Sequence, residues 1–292
     1  LAELAERAGV PQGVLNVVTG SASVVGGELT ANPRVRKLSF TGSTEVGKIL
    51  LGECAKTVKK VSMELGGNAP FIIFEDADLD QAVAGVMASK FRNTGQTCVC
   101  ANRIFVHDKV YDDFAVRLAS AVSAQKVGNG LEEGVALGPL INPAAVKKVE
   151  QHIEDAKAKG ASVYLGGQRH ALQGNFFQPT ILTNVSSDSL LMHDETFGPV
   201  APLLRFSDEN DVIRQANDTS LGLASYFYTR DVGRVWRVAE ALECGIVGIN
   251  EGIISSELAP FGGVKESGIG REGSKYGIDD YIEIKYLCMG GL

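Results

Sequence analysis

The sequence predicts an α/β protein whose parallel sheet is covered on both faces. Short apolar runs that read as strands alternate with amphipathic stretches of ten or more residues, the pattern of βαβ units. Glycines close several of those runs, as at Gly20 and Gly66-Gly67. The chain has 292 residues, 45% of them hydrophobic, which is enough for a large core and roughly two domains.

In chain order, 15–20 reads as a short strand closed by Gly20, and 21–30 as a helix with Ser21 or Ser23 available as a cap. Strand 35–40 follows, then a helix opening at Thr41-Gly42-Ser43 and running to Thr57, then strand 60–65, broken by Gly66-Gly67. This is half or more of a Rossmann-like unit. The pattern then restarts. Strand 69–74 leads to a long helix over 76–91, with Ala82, Val83, Val86 and Met87 on one face. Amphipathic helices are expected at 110–124 and 144–159, strands near Phe105 and at 176–184, 200–206, 224–229 and 246–250, and helices at 210–217 and 233–243. Trp236, inside the last helix, reads as core. The run 280–287 alternates Tyr or Ile with charge, as a strand at a sheet edge does. The edge is either that of its own domain or that of a partner subunit. Leu1 stands in what reads as mid-helix, so a longer parent chain is expected, whereas the far end reads as finished.

Composition narrows the function classes. The net charge is −7, from 28 basic and 35 acidic residues, with no long block of either sign. Neither a nucleic-acid footprint nor a membrane-surface patch is indicated. No stretch approaches the ~20 apolar residues that cross a bilayer, and no signal-peptide pattern is seen. Five cysteines in a chain this long point to free thiols in a reducing, cytoplasmic-type compartment, the mitochondrial matrix for a eukaryotic source. Cys54, Cys244 and Cys288 read as packing residues.

The chemistry centres on Asn93-Thr94-Gly95-Gln96-Thr97-Cys98-Val99-Cys100, a junction between a helix and a strand that can hold a side chain fixed and exposed. A nucleophilic cysteine needs partial exposure and either nearby positive charge or helix-end N–H groups. Cys98, with Arg92 close in sequence, meets this in part. A metal site at Cys98-x-Cys100 lacks further ligands at useful spacing, and the four histidines are dispersed. No Gly-x-Ser-x-Gly elbow is present. Glu64 ends an apolar strand before two glycines, where ligands collect in open parallel sheets; a partly desolvated Glu there can act as a general base. A salt-bridged strand-end carboxylate is the plainer alternative. Thr41-Gly42-Ser43-x-x-x-Gly47 fits either a phosphate cradle at a helix start or an ordinary turn. His193 to Pro199, and Asn250 to Ser256 leading into Pro260-Phe261-Gly262-Gly263, are loops too distinctive for filler.

Together these motifs resemble the aldehyde dehydrogenase superfamily. Phe40-Thr41-Gly42-Ser43, Met63-Glu64-Leu65-Gly66-Gly67, Gly95-Gln96-Thr97-Cys98, Glu195-Thr196-Phe197-Gly198-Pro199 and Pro260-Phe261-Gly262-Gly263 occur in family order across the whole chain. The resemblance implies that Cys98 attacks an aldehyde, that Glu64 activates water, and that NAD or NADP is the cofactor. Gly42 and Ser43 would lie at its pyrophosphate, Leu65 at the nicotinamide, and Glu195 and Phe197 at the nicotinamide ribose. It also implies a partial cofactor domain over 1–66, a catalytic domain over 67–266, and a C-terminal segment over 267–292 with an oligomerisation strand, as in a homodimer or homotetramer. Within the superfamily the chain is most similar to succinate-semialdehyde dehydrogenases, on Phe91-Arg92-Asn93, Cys100 and Gly252-Ile253-Ile254-Ser255. That likeness implies an aldehyde with a distal carboxylate, held by Arg92 and Ser255. Cys100 reads as the partner of Cys98 in a redox switch. The upstream part of the family pattern is absent from this chain, so the piece by itself is not expected to be active.

Overall fold

The structure is a computed structural model and describes residues 1–291. Two sheets position everything that follows. The smaller pairs Lys37–Thr41 with Lys60–Glu64 in parallel, through the crossover helix Thr44–Ala55. Gly268–Ile269 adds antiparallel to Lys60–Glu64, so the third strand of this sheet comes from late in the chain. Leu38, Cys54, Met63 and Leu65 form its core.

The larger sheet has seven strands, in the order Ile246–Ile249, Ala224–Tyr228, Ala69–Ile73, Ala101–His107, Val200–Phe206, Thr180–Thr183, Ser162–Leu165. All neighbours are parallel except the last pair. The five residues Ala69–Ile73 and the seven residues Ala101–His107 are buried throughout, as strands covered on both faces must be. Their side chains alternate between two cores. Phe71, Ile73, Ile104 and Val106 pack on one face with Phe114 and Leu118 of the helix Tyr111–Ser123. Ile72, Phe74 and Phe105 pack on the other with Val149 and Ile153 of the helix Pro143–Ala158.

Most expected elements form, with corrections. Residues 15–20 are not a strand: Val17 and Val18 are exposed, and no described strand offers them a ladder. The expected strand at 176–184 shortens to Thr180–Thr183. The helix expected over 76–91 is α-helical only from Leu79 to Val86 and then widens into a π turn, Met87–Phe91. Trp236 is 65% exposed, because the helix Val232–Ala241 buries the opposite face, through Val235, Val238 and Ala239. Cys54 is buried as expected, but Cys288 is exposed and packs no core. Among the described residues the run 280–287 finds no ladder, so it is not an edge strand of its own domain. It is tethered at its start, where Lys60 Nζ donates to the Ile282 carbonyl at 2.9 Å and Ser62 Oγ donates to Asp280 at 3.0 Å.

Candidate active site

The two sheets meet end to end. Thr41 and Glu64 are paired at the carboxyl ends of the smaller sheet. The amino ends of Ala69–Ile73, Ala101–His107 and Val200–Phe206 face the same place, each preceded by a glycine-bearing loop. Between them lies a cleft of about 590 Å³. Its walls bring together Gly42, Ser43, Glu64, Leu65, Cys98, Glu195 and Phe197, seven of the residues singled out from sequence. The rule that ligands gather at carboxyl ends therefore holds for the smaller sheet, while the larger sheet presents its amino ends.

Cys98 is held by an unusual backbone. After the π turn, Asn93, Thr94 and Gly95 are all left-handed, with φ of 50°, 58° and 74°. Such a run is strained for Asn and Thr and persists only when its surroundings over-determine it. They do so here. Thr94 Oγ1 donates to the Gly138 carbonyl at 3.1 Å, and the Gln96 side chain accepts from Ile141 N–H at 2.9 Å. Tyr226 Oη donates to the Val99 carbonyl at 2.7 Å. Gly67 has no room for a side chain, because a Cβ there would run into the Cys98 carbonyl oxygen. Gly95 is pressed in the same way against the Gly198 carbonyl.

The electrostatics of the cleft are those of a dry acid and a half-buried acid around a half-buried thiol. Glu64 is 5% exposed, and neither carboxylate oxygen has a partner among the described residues. Burial, aided by the charge of Glu272 and opposed by that of Arg271, pushes its carboxyl up to about 7. This excludes the salt-bridged strand-end role. Burial, with the charges of Glu195 and Glu64, pushes the Cys98 thiol up to about 11. Its own backbone N–H acts in the opposite direction. Glu195 Oε1 accepts from Gly67 N–H at 3.0 Å, and burial raises its carboxyl too.

The cleft suits a nucleotide cofactor. Gly42 precedes Ser43, which caps the twelve-residue helix Thr44–Ala55, an anion-favouring start. The wall at Gly42, Gly66 and Gly67 carries no side chain; a Cβ on Gly66 would sit 3.1 Å from Glu195 Oε2. That oxygen makes no hydrogen bond among the described residues and is available to a ligand hydroxyl.

Arg92 and Ser255 do not line this cleft; both are exposed. Arg92 makes no ion pair among the described residues, so it is not a helix-end arginine paired with a neighbouring acid. Its charge is felt at Tyr226, whose hydroxyl sits on the residue after Cys98. Cys100 is buried beneath the loop. Its sulfur shares a 2.8 Å hydrogen bond with Thr97 Oγ1 and donates to the Lys90 carbonyl at 3.8 Å.

Sequence reasoning missed one wall. Ile141, Asn142, Ala145 and Lys148 come from the start of the helix Pro143–Ala158. The Asn-Pro capping signal was readable, since Asn142 Oδ1 accepts from Ala145 N–H at 2.9 Å, but nothing local says where that helix start points.

Over 290 residues the chain is 68% identical to the NADP(+) succinate-semialdehyde dehydrogenase of Escherichia coli (strain K12), covering 99% of this chain and 60% of that protein. It is 66% identical to a glutarate-semialdehyde dehydrogenase of Pseudomonas aeruginosa, covering 100% of this chain and 60% of the other. The crystal structure of succinate-semialdehyde dehydrogenase from Burkholderia pseudomallei superposes with a TM-score of 0.97 at 67% identity, over 99% of this chain and 60% of that one. The chain thus spans about 60% of the length of these relatives. Residues 1–287 match the aldehyde dehydrogenase family, and with the cleft built as described the chain belongs to that family.

Proposed function

We propose that the protein carrying this chain oxidises succinate semialdehyde to succinate with NAD or NADP. The observation that carries this reading is the convergence of Cys98, a dry Glu64 and Glu195 on one cleft. Cys98 Sγ attacks the aldehyde carbon and holds the substrate first as a thiohemiacetal and, once oxidised, as a thioester. The Cys98 backbone N–H is placed to stabilise the developing oxyanion. A nicotinamide nucleotide, when bound, supplies the two-electron oxidation. Gly42 and Ser43 hold its phosphates, Leu65 and Phe197 its nicotinamide end, and Glu195 a ribose hydroxyl. With its carboxyl poised at about 7, Glu64 is matched to taking a proton from water near neutral pH and releasing the acid.

Arg92 takes the distal carboxylate, and Ser255 is the second residue assigned to it. A guanidinium is the donor best matched to that group, and this one has no competing protein partner among the described residues. A guanidinium does not measure substrate length, and a relative 66% identical is named for glutarate semialdehyde. That five-carbon aldehyde is the second reading. The C-terminal run 280–287, unpaired in its own chain, is assigned to pairing between copies in a homo-oligomer. Among the described residues no helix is long and apolar enough to cross a membrane.

The test uses the full-length protein, four- and five-carbon semialdehydes, and a neutral aldehyde of matched length. Formation of reduced cofactor with the semialdehydes is expected, and Arg92→Ala should raise KM for them alone. Cleavage of an activated ester with no cofactor reduction from either nucleotide would make this a thiol hydrolase instead.

A further inference from the structure

Behind the cleft lies a buried pair of amides that none of the steps above uses. Asn68 stands four residues after Glu64, and Asn102 four residues after Cys98. Both are 3% exposed. Asn102 Nδ2 donates to Asn68 Oδ1 at 2.7 Å, to the Asp194 carbonyl at 2.9 Å and to the Leu191 carbonyl at 3.3 Å. Asn102 Oδ1 accepts from Thr196 N–H at 3.1 Å. Asn68 Nδ2 donates to the Met192 carbonyl at 2.8 Å. Reversing either amide would set oxygen against carbonyl oxygen, so the partners dictate the orientation of both. From the other side the fully buried Arg103 holds the Asn68 carbonyl, through Nε at 3.1 Å and Nη2 at 2.9 Å.

The sheet ties these segments together only incompletely at the cleft end, where Ala69 pairs with Ala101 before the register shifts. Pairing of Ala69–Ile73 with Ala101–His107 is irregular between Ala69 and Pro70, where proline has no N–H to donate. Pairing of Ala101–His107 with Val200–Phe206 starts only at Ile104 and Leu203. The three loops that bear Glu64, Cys98 and Glu195 thus enter the sheet ahead of its regular ladder. Asn102 stands on the strand after Cys98, and its side chain bonds to the other two neighbourhoods: Asn68 after Glu64, and Asp194 and Thr196 on either side of Glu195.

We propose that Asn68 and Asn102 are positioning residues, a side-chain reinforcement of this interrupted ladder that holds Cys98, Glu64 and Glu195 in mutual register. The inference rests on the reading of those three residues given above. Reacting groups need placement to a fraction of an ångström, and donors left without acceptors in a dry interior force the loops to move.

The experiment uses the full-length protein with Asn68→Ala, Asn102→Ala and the double variant. Rates are normalised to competent sites, counted by aldehyde-protected alkylation of Cys98. In each single variant kcat per competent site should fall about tenfold or more, while KM for the aldehyde shifts less than about threefold. The double variant should lose less than the product of the two single losses, because both substitutions break the bond that Asn68 and Asn102 share. A merely structural pair would lower the number of competent sites and leave kcat per site alone; that result, or losses that simply multiply, overturns the proposal. If Asn102→Ala does not fold, Asn68→Ala reads the same bond. Cys98→Ala separates the two levels. Oxidation surviving in Cys98→Ala refutes the site itself. Oxidation lost there, with full per-site kcat in the Asn variants, refutes only the positioning.

Discussion

Replacing Glu64 by Gln removes a carboxylate that the fold holds almost dry, and the structure fixes both consequences. The first is kinetic. On the proposed mechanism the full-length variant retains Cys98 as the thioester-forming nucleophile, so a first turnover of reduced cofactor should appear. Hydrolysis then loses its base, which typically contributes about 10²–10⁴-fold. A stopped-flow trace should show a burst close to one per site and a steady state slower by that factor. The second consequence is thermodynamic. Folding moves the Glu64 carboxyl from 4.5 to about 7. Below pH 4.5 both states carry the proton and stability is unaffected. As pH rises from 4.5 to 7 the unfolded chain releases the proton while the folded one retains it, so stability falls, and above 7 the loss is complete. At 1.36 kcal/mol per pH unit the full loss is roughly 3 kcal/mol, an upper value. The amide that replaces the carboxyl does not titrate. Glu64→Gln should therefore unfold at higher denaturant than wild type at pH 8, by up to that amount, with the gap closing toward pH 4. Equal stability at pH 8, or loss of the burst together with the steady state, would refute a dry general base at this position.

Alkylation of Cys98 in the cofactor-free protein, followed by mass spectrometry, should rise close to tenfold per pH unit from pH 7 toward 10, because the thiol is pushed up to about 11. A plateau by pH 8 contradicts the carboxylate-lined environment. Gly67→Ala places a methyl against the Cys98 carbonyl oxygen and should lower stability by about 1–3 kcal/mol and depress kcat, read by thermal melts and turnover. Wild-type stability would mean the two segments are not in contact. Peroxide should inactivate the wild type reversibly, two thiols and one peroxide giving the Cys98–Cys100 disulfide and two waters, with a thiol reductant restoring activity. Cys100 must first leave Thr97, and a bridge between cysteines one residue apart is expected to be strained and easily reduced. Equally reversible inactivation of Cys100→Ala would remove Cys100 from the process.

The sequence by itself determined the α/β class, most of the strands and helices, and seven residues of the cleft. These are set by neighbours along the chain: apolar period, caps, and glycines where one backbone must approach another. The tertiary structure alone decided the rest. It showed that the larger sheet turns its amino ends to the site and that Asn93-Thr94-Gly95 runs left-handed under Cys98. It brought Lys148 and Asn142 in from a distant helix start. It placed Arg271 and Glu272 where they bias the Glu64 proton, and it made Asn102 the tie among three loops. It also left Trp236 in water and the run 280–287 without a ladder, since a helix buries one face only and a strand exists only beside another strand. Strand order and desolvation depend on residues far apart in sequence. Neither the dryness of Glu64 nor the bond between Asn68 and Asn102 could be read before the chain was folded.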